Sequence, residues 1–214
     1  MDISNISINI QSSIKIHGIK TIYFDPIKLS DNLKDADYIF ITHDHYDHFD
    51  ISSIMLILNE KTIIILPKSM EDKIEELDID KNRLFFVEPN MKYNLEKITF
   101  WTIPSYNINK DYHPKDKNYV GYILNMDDTT YYIAGDTDLT KESREVKADI
   151  AFVPIGGTYT MDKVEAATLI NIIKPKLVIP THYGSIVGNK TDGEDFRGLI
   201  SDDIQCKILI WKNK

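Results

Sequence analysis

The order of hydrophobic segments predicts an α/β fold in which helices pack outside sheets. Three observations carry this. Short runs of β-branched and aromatic residues, the composition of buried or half-buried strands, recur along the whole chain. Apolar residues at helical spacing appear only between such runs, in both halves of the chain. No Pro/Gly/Ser-rich linker, low-complexity tract or short-period repeat divides the 214 residues, so residues 1–214 read as a single domain with one sizeable core.

Taken in order, residues 13–16 and 21–24 read as a hairpin turning at Gly18 and closed by Asp25-Pro26. Residues 38–41 are a short apolar strand running into Thr42-His43. Asp50 is placed to cap a helix whose apolar side is Ile51, Ile54, Met55 and Leu58. Residues 62–66 read as a buried strand stopped by Pro67, and 68–77 as a surface helix. Strands are expected at 84–87, 98–103, 120–124, 130–134 and 150–153. A helix is expected over 161–173, with Asp162 and Glu165 spaced as a capping box and Lys174-Pro175 ending it. A strand at 177–179 runs into Pro180-Thr181-His182, and 207–211 is read as the last one.

Composition narrows the function. The net charge of -8 argues against nucleic acid as the main partner, because phosphate binding needs clustered Lys and Arg. No stretch of about 18 apolar residues exists to span a membrane, and the N-terminus does not read as a secretion signal. The one cysteine, Cys206, reads as a small hydrophobe in a late strand, which suits a reducing, cytoplasmic location.

The informative segment is Thr42-His43-Asp44-His45-Tyr46-Asp47-His48, which holds three of the six histidines. His43 and His45, two residues apart, point the same way in an extended or tightly turned backbone, with Asp47 and His48 just beyond. Imidazole and carboxylate groups at this spacing suit a divalent ion such as zinc. Asp136 and His182 likewise follow apolar strands, the usual placement of residues held by a rigid scaffold.

The segment matches an HxHxDH signature, and the match extends to Ile22-Tyr23-Phe24-Asp25-Pro26, Gly135-Asp136-Thr137-Asp138 and Pro180-Thr181-His182-Tyr183-Gly184. In these landmarks the chain resembles the metallo-β-lactamase superfamily, and most of all its branch of ascorbate-6-phosphate-lactonase-like proteins. The resemblance implies a four-layer αββα sandwich with two divalent metal ions, Zn2+ or else Mn2+ or Fe2+, at one edge of the sheets. It assigns His43 and His45 to the first ion, Asp47, His48 and His182 to the second, and Asp136 to both. Asp25 would be a supporting residue or simply a turn residue before proline.

One landmark departs from the family. The stretch 101–107, where the family places a third histidine for the first ion, contains none. The nearest is His113, which either folds back as a ligand, acts on substrate as an acid or base, or is an ordinary loop residue. Around the centre, Tyr46 reads as a pocket wall and Asp138 as a second-layer or surface carboxylate. Tyr183 reads as a packing residue or an oxyanion donor, His17 as structural, and residues 156–160 as a tight turn lining the cleft.

The resemblance thus implies a metal-dependent hydrolase whose bridging hydroxide attacks an ester, lactone or phosphoester of a small molecule. Asp47 would orient it, and Asp47, His113 or solvent would protonate the leaving group. Lys110, Lys115 and Lys117 near His113 suggest an anionic substrate, or else a solvated charged loop. A nuclease and a non-catalytic metal-binding sensor are the rival readings, and homo-oligomers are common in the family.

Overall fold

Each half of the chain builds one sheet. The computed structural model describes residues 2–77 and 79–210. The first sheet holds β1 (Ile6–Ile8), β2 (Ile14–His17), β3 (Thr21–Phe24), β4 (Tyr38–Phe40), β5 (Ile63–Pro67) and β6 (Leu84–Val87), side by side in chain order. The second holds β7 (Lys92–Leu95), β8 (Ile98–Pro104), β9 (Val120–Met126), β10 (Thr129–Ile133), β11 (Ile150–Pro154), β12 (Leu177–Thr181) and β13 (Gln205–Cys206). Both sheets begin as antiparallel hairpins and continue as parallel strands, the change falling at β3–β4 and at β10–β11. Parallel neighbours need crossovers, and these carry α1 (Ile51–Ile57) and α2 (Lys163–Ile173). A short α3 (Asp192–Arg197) precedes β13.

Side-chain alternation sorts the layers. Along β4, Tyr38 and Phe40 join the core between the sheets, while Ile39 and the following Ile41 join an outer cluster with Ile54 and Ile57 of α1. β5 and β6 divide the same way, Ile65 and Val87 inward, Ile64 and Leu66 outward. On the far side, Ala166, Leu169 and Ile170 of α2 and Phe196 of α3 pack on the second sheet. The result is the expected αββα order of layers.

Aromatic rings weld the two sheets. Phe40 stacks on Phe24 at 4.9 Å between centroids and meets Phe100 and Tyr122 of the opposite sheet edge-on, each at 5.0 Å. This cluster lies directly beneath the segment that starts at Thr42. The helix caps are as the sequence implies: Asp50 accepts from Ser52 N–H, and Asp162 with Glu165 forms a complete capping box.

Five elements differ from expectation. The 68–77 helix is a 3-10 stretch over Lys68–Glu76, and it is not purely superficial: Met70, Ile74 and Leu77 are buried against the outer cluster. The last strand is Gln205–Cys206, which pairs with Leu177 and Val178, so it ends before the expected 207–211. Trp211 lies outside the described residues. β1, β7 and α3 went unread, although Ile6 and Ile8 alternate with Ser7 and Asn9 as an edge strand should. No helix among the described residues is long and apolar enough to cross a membrane.

Because Phe40 is fully buried at the joint of both sheets, Phe40→Ala is expected to cost about 3–5 kcal/mol of stability, measured by urea denaturation.

Candidate metal centre

The residues of interest sit where parallel strands end. Asp25 follows β3, Thr42-His43 follows β4, Asp136 follows β10 and His182 follows β12. Carboxyl ends of parallel strands are the usual location of sites in open α/β sheets. Three non-glycine residues here hold left-handed backbone, Gln11 (φ 52°), Asp25 (φ 43°) and His182 (φ 55°), a conformation that costs roughly 1–2 kcal/mol per residue and collects at functional sites.

Asp25 is fully buried and organises the first half of the site. Its carboxylate accepts from Thr42 N–H at 2.8 Å, from the Thr42 hydroxyl at 2.7 Å and from His48 Nδ1–H at 2.7 Å. The Thr42 hydroxyl in turn accepts from His43 Nδ1–H at 2.9 Å. This network assigns the tautomers: both rings donate from Nδ1, which leaves the Nε2 lone pairs of His43 and His48 aimed into the site. Asp25 is therefore both the turn residue and the support for a site histidine.

His113 folds back into the centre. It is buried, and its Nε2 lies 3.1 Å from His45 Nδ1 and 3.6 Å from Asp136 Oδ2. Asn107 holds it there. The Asn107 amide oxygen accepts from His113 Nδ1–H at 3.0 Å and from His113 N–H at 3.1 Å, and Asn107 N–H donates to His113 O at 2.8 Å. Asn107 is anchored by donating to Asp138 at 3.0 Å and to Tyr159 O at 2.9 Å. Asp138 thus reaches a site histidine through Asn107, not by direct contact. The end of the middle strand, which lacks a histidine, supplies the asparagine that positions one from the loop.

Asp136 sits between two groups of rings. Its Oδ1 is 3.2 Å from His48 Nε2 and its Oδ2 is 3.1 Å from His182 Nε2. Asp47 Oδ2 is 3.2 Å from His182 Nε2 and 3.3 Å from the amide of fully buried Gln11, a site residue that sequence reasoning missed. Nothing in a lone glutamine before two serines marks it. Gly156 lets its loop press on His182, since a Cβ there would lie 2.3 Å from His182 O. Its neighbour Gly157 turns the loop with a positive φ of 87°.

Three sets of donor atoms lie within 4.8 Å of one another: His43, His45 and His113; His43, His48 and Asp136; and Asp47, His48 and His182. The geometry suits metal ions. Two nitrogens each about 2.0–2.1 Å from one tetrahedral ion sit roughly 3.3 Å apart. The separations of 3.1 and 3.2 Å above match that spacing. Moreover, His43 Nε2, His48 Nε2 and Asp136 Oδ1 are buried without a hydrogen-bond partner. Unpaired buried polar atoms are costly, and an ion satisfies all of them.

The titration of the cluster is split. Burial holds His43 well below the usual histidine range, lowers His45, and brings His113 down to about 4. Burial also disfavours the charged rings of His48 and His182, but there the carboxylates prevail: Asp136 and Asp25 raise His48, and Asp136 and Asp47 raise His182 to about 9. Burial would raise the two carboxyls, yet the same rings hold Asp136 well below the carboxylate range and bring Asp47 to about 2.

Above the centre is a cleft of about 300 Å³, floored by His45, Asp47, His113 and Asp136 and rimmed by Tyr46, Tyr112, Tyr159 and Ile186. Tyr46 is a pocket wall, as expected. Tyr183 is buried against Gly193 of α3, so it packs and does not line the cleft. His17 bonds Thr21 within its own hairpin. Two of the three loop lysines are engaged: Lys110 Nζ lies 2.6 Å from Asp138 and Lys115 Nζ 2.8 Å from Glu142. Neither they nor Lys117 line the cleft.

Comparison with known proteins agrees with this geometry. Residues 12–182 match the family model described as a β-lactamase superfamily domain. The chain is 30% identical over 211 residues to a UPF0173 metal-dependent hydrolase of Pyrococcus horikoshii, covering 91% of each. A crystal structure of a Parabacteroides distasonis protein is similar at a TM-score of 0.80 and 27% identity, covering 96% of this chain and 92% of that one. A metallo hydrolase of Ignicoccus hospitalis shares the fold at a TM-score of 0.75 and 21% identity, covering 95% and 93%.

The split titration sets a pH dependence for the metal-free protein. His113 falls from an ordinary 6.5 to about 4 on folding, so its contribution is lost as pH drops below 6.5. His182 rises from 6.5 to about 9, so its contribution is complete below 6.5 and is lost as pH rises through 9. Thermal unfolding of chelator-treated protein is expected to give the highest Tm near pH 6.5 with a fall on both sides. Added divalent ion should raise the Tm most on the alkaline side, where the rings no longer hold protons against it.

Proposed function

Since the chain belongs to the β-lactamase superfamily, we propose that it is a metal-dependent hydrolase acting on an ester or lactone of a small molecule. The observation that carries this is the set of donor groups that meet at Asp136, with an open cleft directly above them. In this reading His43, His45 and His113 hold one ion, Asp47, His48 and His182 hold a second, and Asp136 is shared. Zn2+ fits the histidine-rich donor set best, with Mn2+ or Fe2+ as substitutes. The resemblance to ascorbate-6-phosphate-lactonase-like proteins supports a lactone or ester in kind. The engaged lysines favour an acyl centre over a phosphoryl one.

Divalent ions held by these residues would supply hydroxide at neutral pH, by lowering the pKa of water, and Lewis acidity toward a carbonyl. The chain's own groups do the rest. Thr42, Asp25 and Asn107 fix the imidazole tautomers so that lone pairs face inward. Asp47 faces the cleft with its Oδ2 steadied by the Gln11 amide, placed to orient the attacking water and to pass a proton to the leaving group. His113, with Nδ1 committed to Asn107 and Nε2 beside His45, serves as a ligand and not as the general acid.

Two variants test the reading. Asp136→Ala is expected to remove both ions and all hydrolysis, measured by elemental analysis and by a panel of esters, lactones and phosphoesters. His113→Ala is expected to lower the metal content from two ions to one and to reduce kcat/KM by at least about 100-fold, the size of a lost site interaction. Full turnover by metal-free Asp136→Ala protein would overturn the proposal.

A further inference from the structure

The rim of the cleft is chemically uniform in a way the metal chemistry does not require. Tyr46, Tyr112 and Tyr159 supply three rings and Ile186 a fourth apolar wall. Tyr46 is 72% exposed and Tyr112 is 49% exposed, a large area of unburied aromatic surface at one rim. Tyr112 stands edge-on to Tyr159, with centroids 4.5 Å apart at 90°. That arrangement fixes the Tyr112 ring, so the loop that carries His113 also presents an aromatic face beside it.

Charge points the same way. Among the described residues no lysine or arginine lines the cleft, and Lys110 and Lys115, close to His113 in sequence, are paired with Asp138 and Glu142. A phosphate or carboxylate on the substrate would find no partner at the rim. A cationic group is disfavoured as well, because the floor would carry two divalent ions against the carboxylates Asp47 and Asp136. A volume of about 300 Å³ is at the small end for ligand pockets, suited to a single ring with a short arm.

Resting on the hydrolase reading above, we infer that the tyrosine rim is an aryl subsite and that the substrate is a neutral ester or lactone carrying an aromatic ring. The ring packs against Tyr46 and Tyr112 while the carbonyl reaches the floor at Asp47 and Asp136. Hydrolysis then breaks the acyl C–O bond. The acyl carbon takes the oxygen of water and the departing oxygen takes a proton, so an ester gives an acid and an alcohol and a lactone gives one hydroxy acid. The source of specificity is ring-on-ring contact, which is tolerant of ring substituents and indifferent to salt.

The test uses the full, metal-loaded chain and two readouts. Calorimetric titration with phenylacetamide, a neutral aryl amide, is expected to show saturable binding that acetamide lacks. Tyr46→Ala and Tyr112→Ala should each weaken it by roughly 3- to 10-fold, the scale of a lost aromatic pair, while Tyr112→Phe keeps it. Trp101→Ala, an exposed aromatic outside the cleft, should leave it unchanged. Turnover of methyl phenylacetate is expected to exceed that of methyl acetate in kcat/KM, with the difference in KM. Tighter binding of phenyl phosphate or of phenyltrimethylammonium, or unaltered phenylacetamide binding in both alanine variants, would overturn the inference. If neither ester is hydrolysed yet phenylacetamide binds through the tyrosines, the aryl subsite stands and the hydrolase reading fails. Tyr46 is so exposed that its replacement cannot unfold the protein, so one variant always reports.

Discussion

A single buried carboxylate joins the architecture of this molecule to its chemistry. Asp25 leaves β3 in a left-handed conformation, takes two hydrogen bonds from Thr42 at the end of β4, and holds the ring of His48 on the far side of the histidine-rich turn. Burying a carboxylate is expensive unless it is fully bonded, and here each of those bonds also fixes something the site needs. The strand pairing of β3 with β4 therefore sets the angle of His48 directly and that of His43 through Thr42. The aromatic knot of Phe24, Phe40, Phe100 and Tyr122 beneath them keeps both strand ends from drifting.

The two halves of the centre are electrostatically unlike. On one side three histidines crowd together with burial pressing them neutral, which is the form that donates a lone pair. On the other, Asp25, Asp47 and Asp136 favour protonation of His48 and His182, against which an incoming ion must compete. Asp136 belongs to both sides, so its carboxylate couples the two electrostatically. The cluster is satisfied by protons or by ions, and the polypeptide alone leaves His43 Nε2, His48 Nε2 and Asp136 Oδ1 without partners.

Much of this was legible from the sequence. The HxHxDH segment, Asp136 and His182 could be grouped because all follow apolar strands, and strand ends in a layered α/β fold point to one edge. The capping residues Asp50 and Asp162 marked their helices because capping is local chemistry. What was not legible depends on contacts distant in the chain. Gln11 meets Asp47 across 36 positions, and only the folded sheets make it a site residue. The placement of His113 turned on Asn107, whose amide reads as an ordinary loop residue until Asp138 and Tyr159 are known to anchor it. The pairing of Lys110 and Lys115 was hidden for the same reason: their acidic partners lie nearly thirty residues away.

The loop from Asn107 to His113 changes what kind of variation the centre can absorb. A site residue at the end of a strand is indexed by the sheet: the pairing of β8 with β9 counts residues for it. A site residue carried on a loop is indexed by contour length. His113 returns to the centre because the five residues between it and Asn107 close a ring of fixed size, sealed by reciprocal bonds between those two residues. Surface loops ordinarily tolerate insertions and deletions, but this one is a measuring tape. Its sequence is free to diverge at Ile108, Asn109 and Asp111, while its length is held constant by the chemistry at its end.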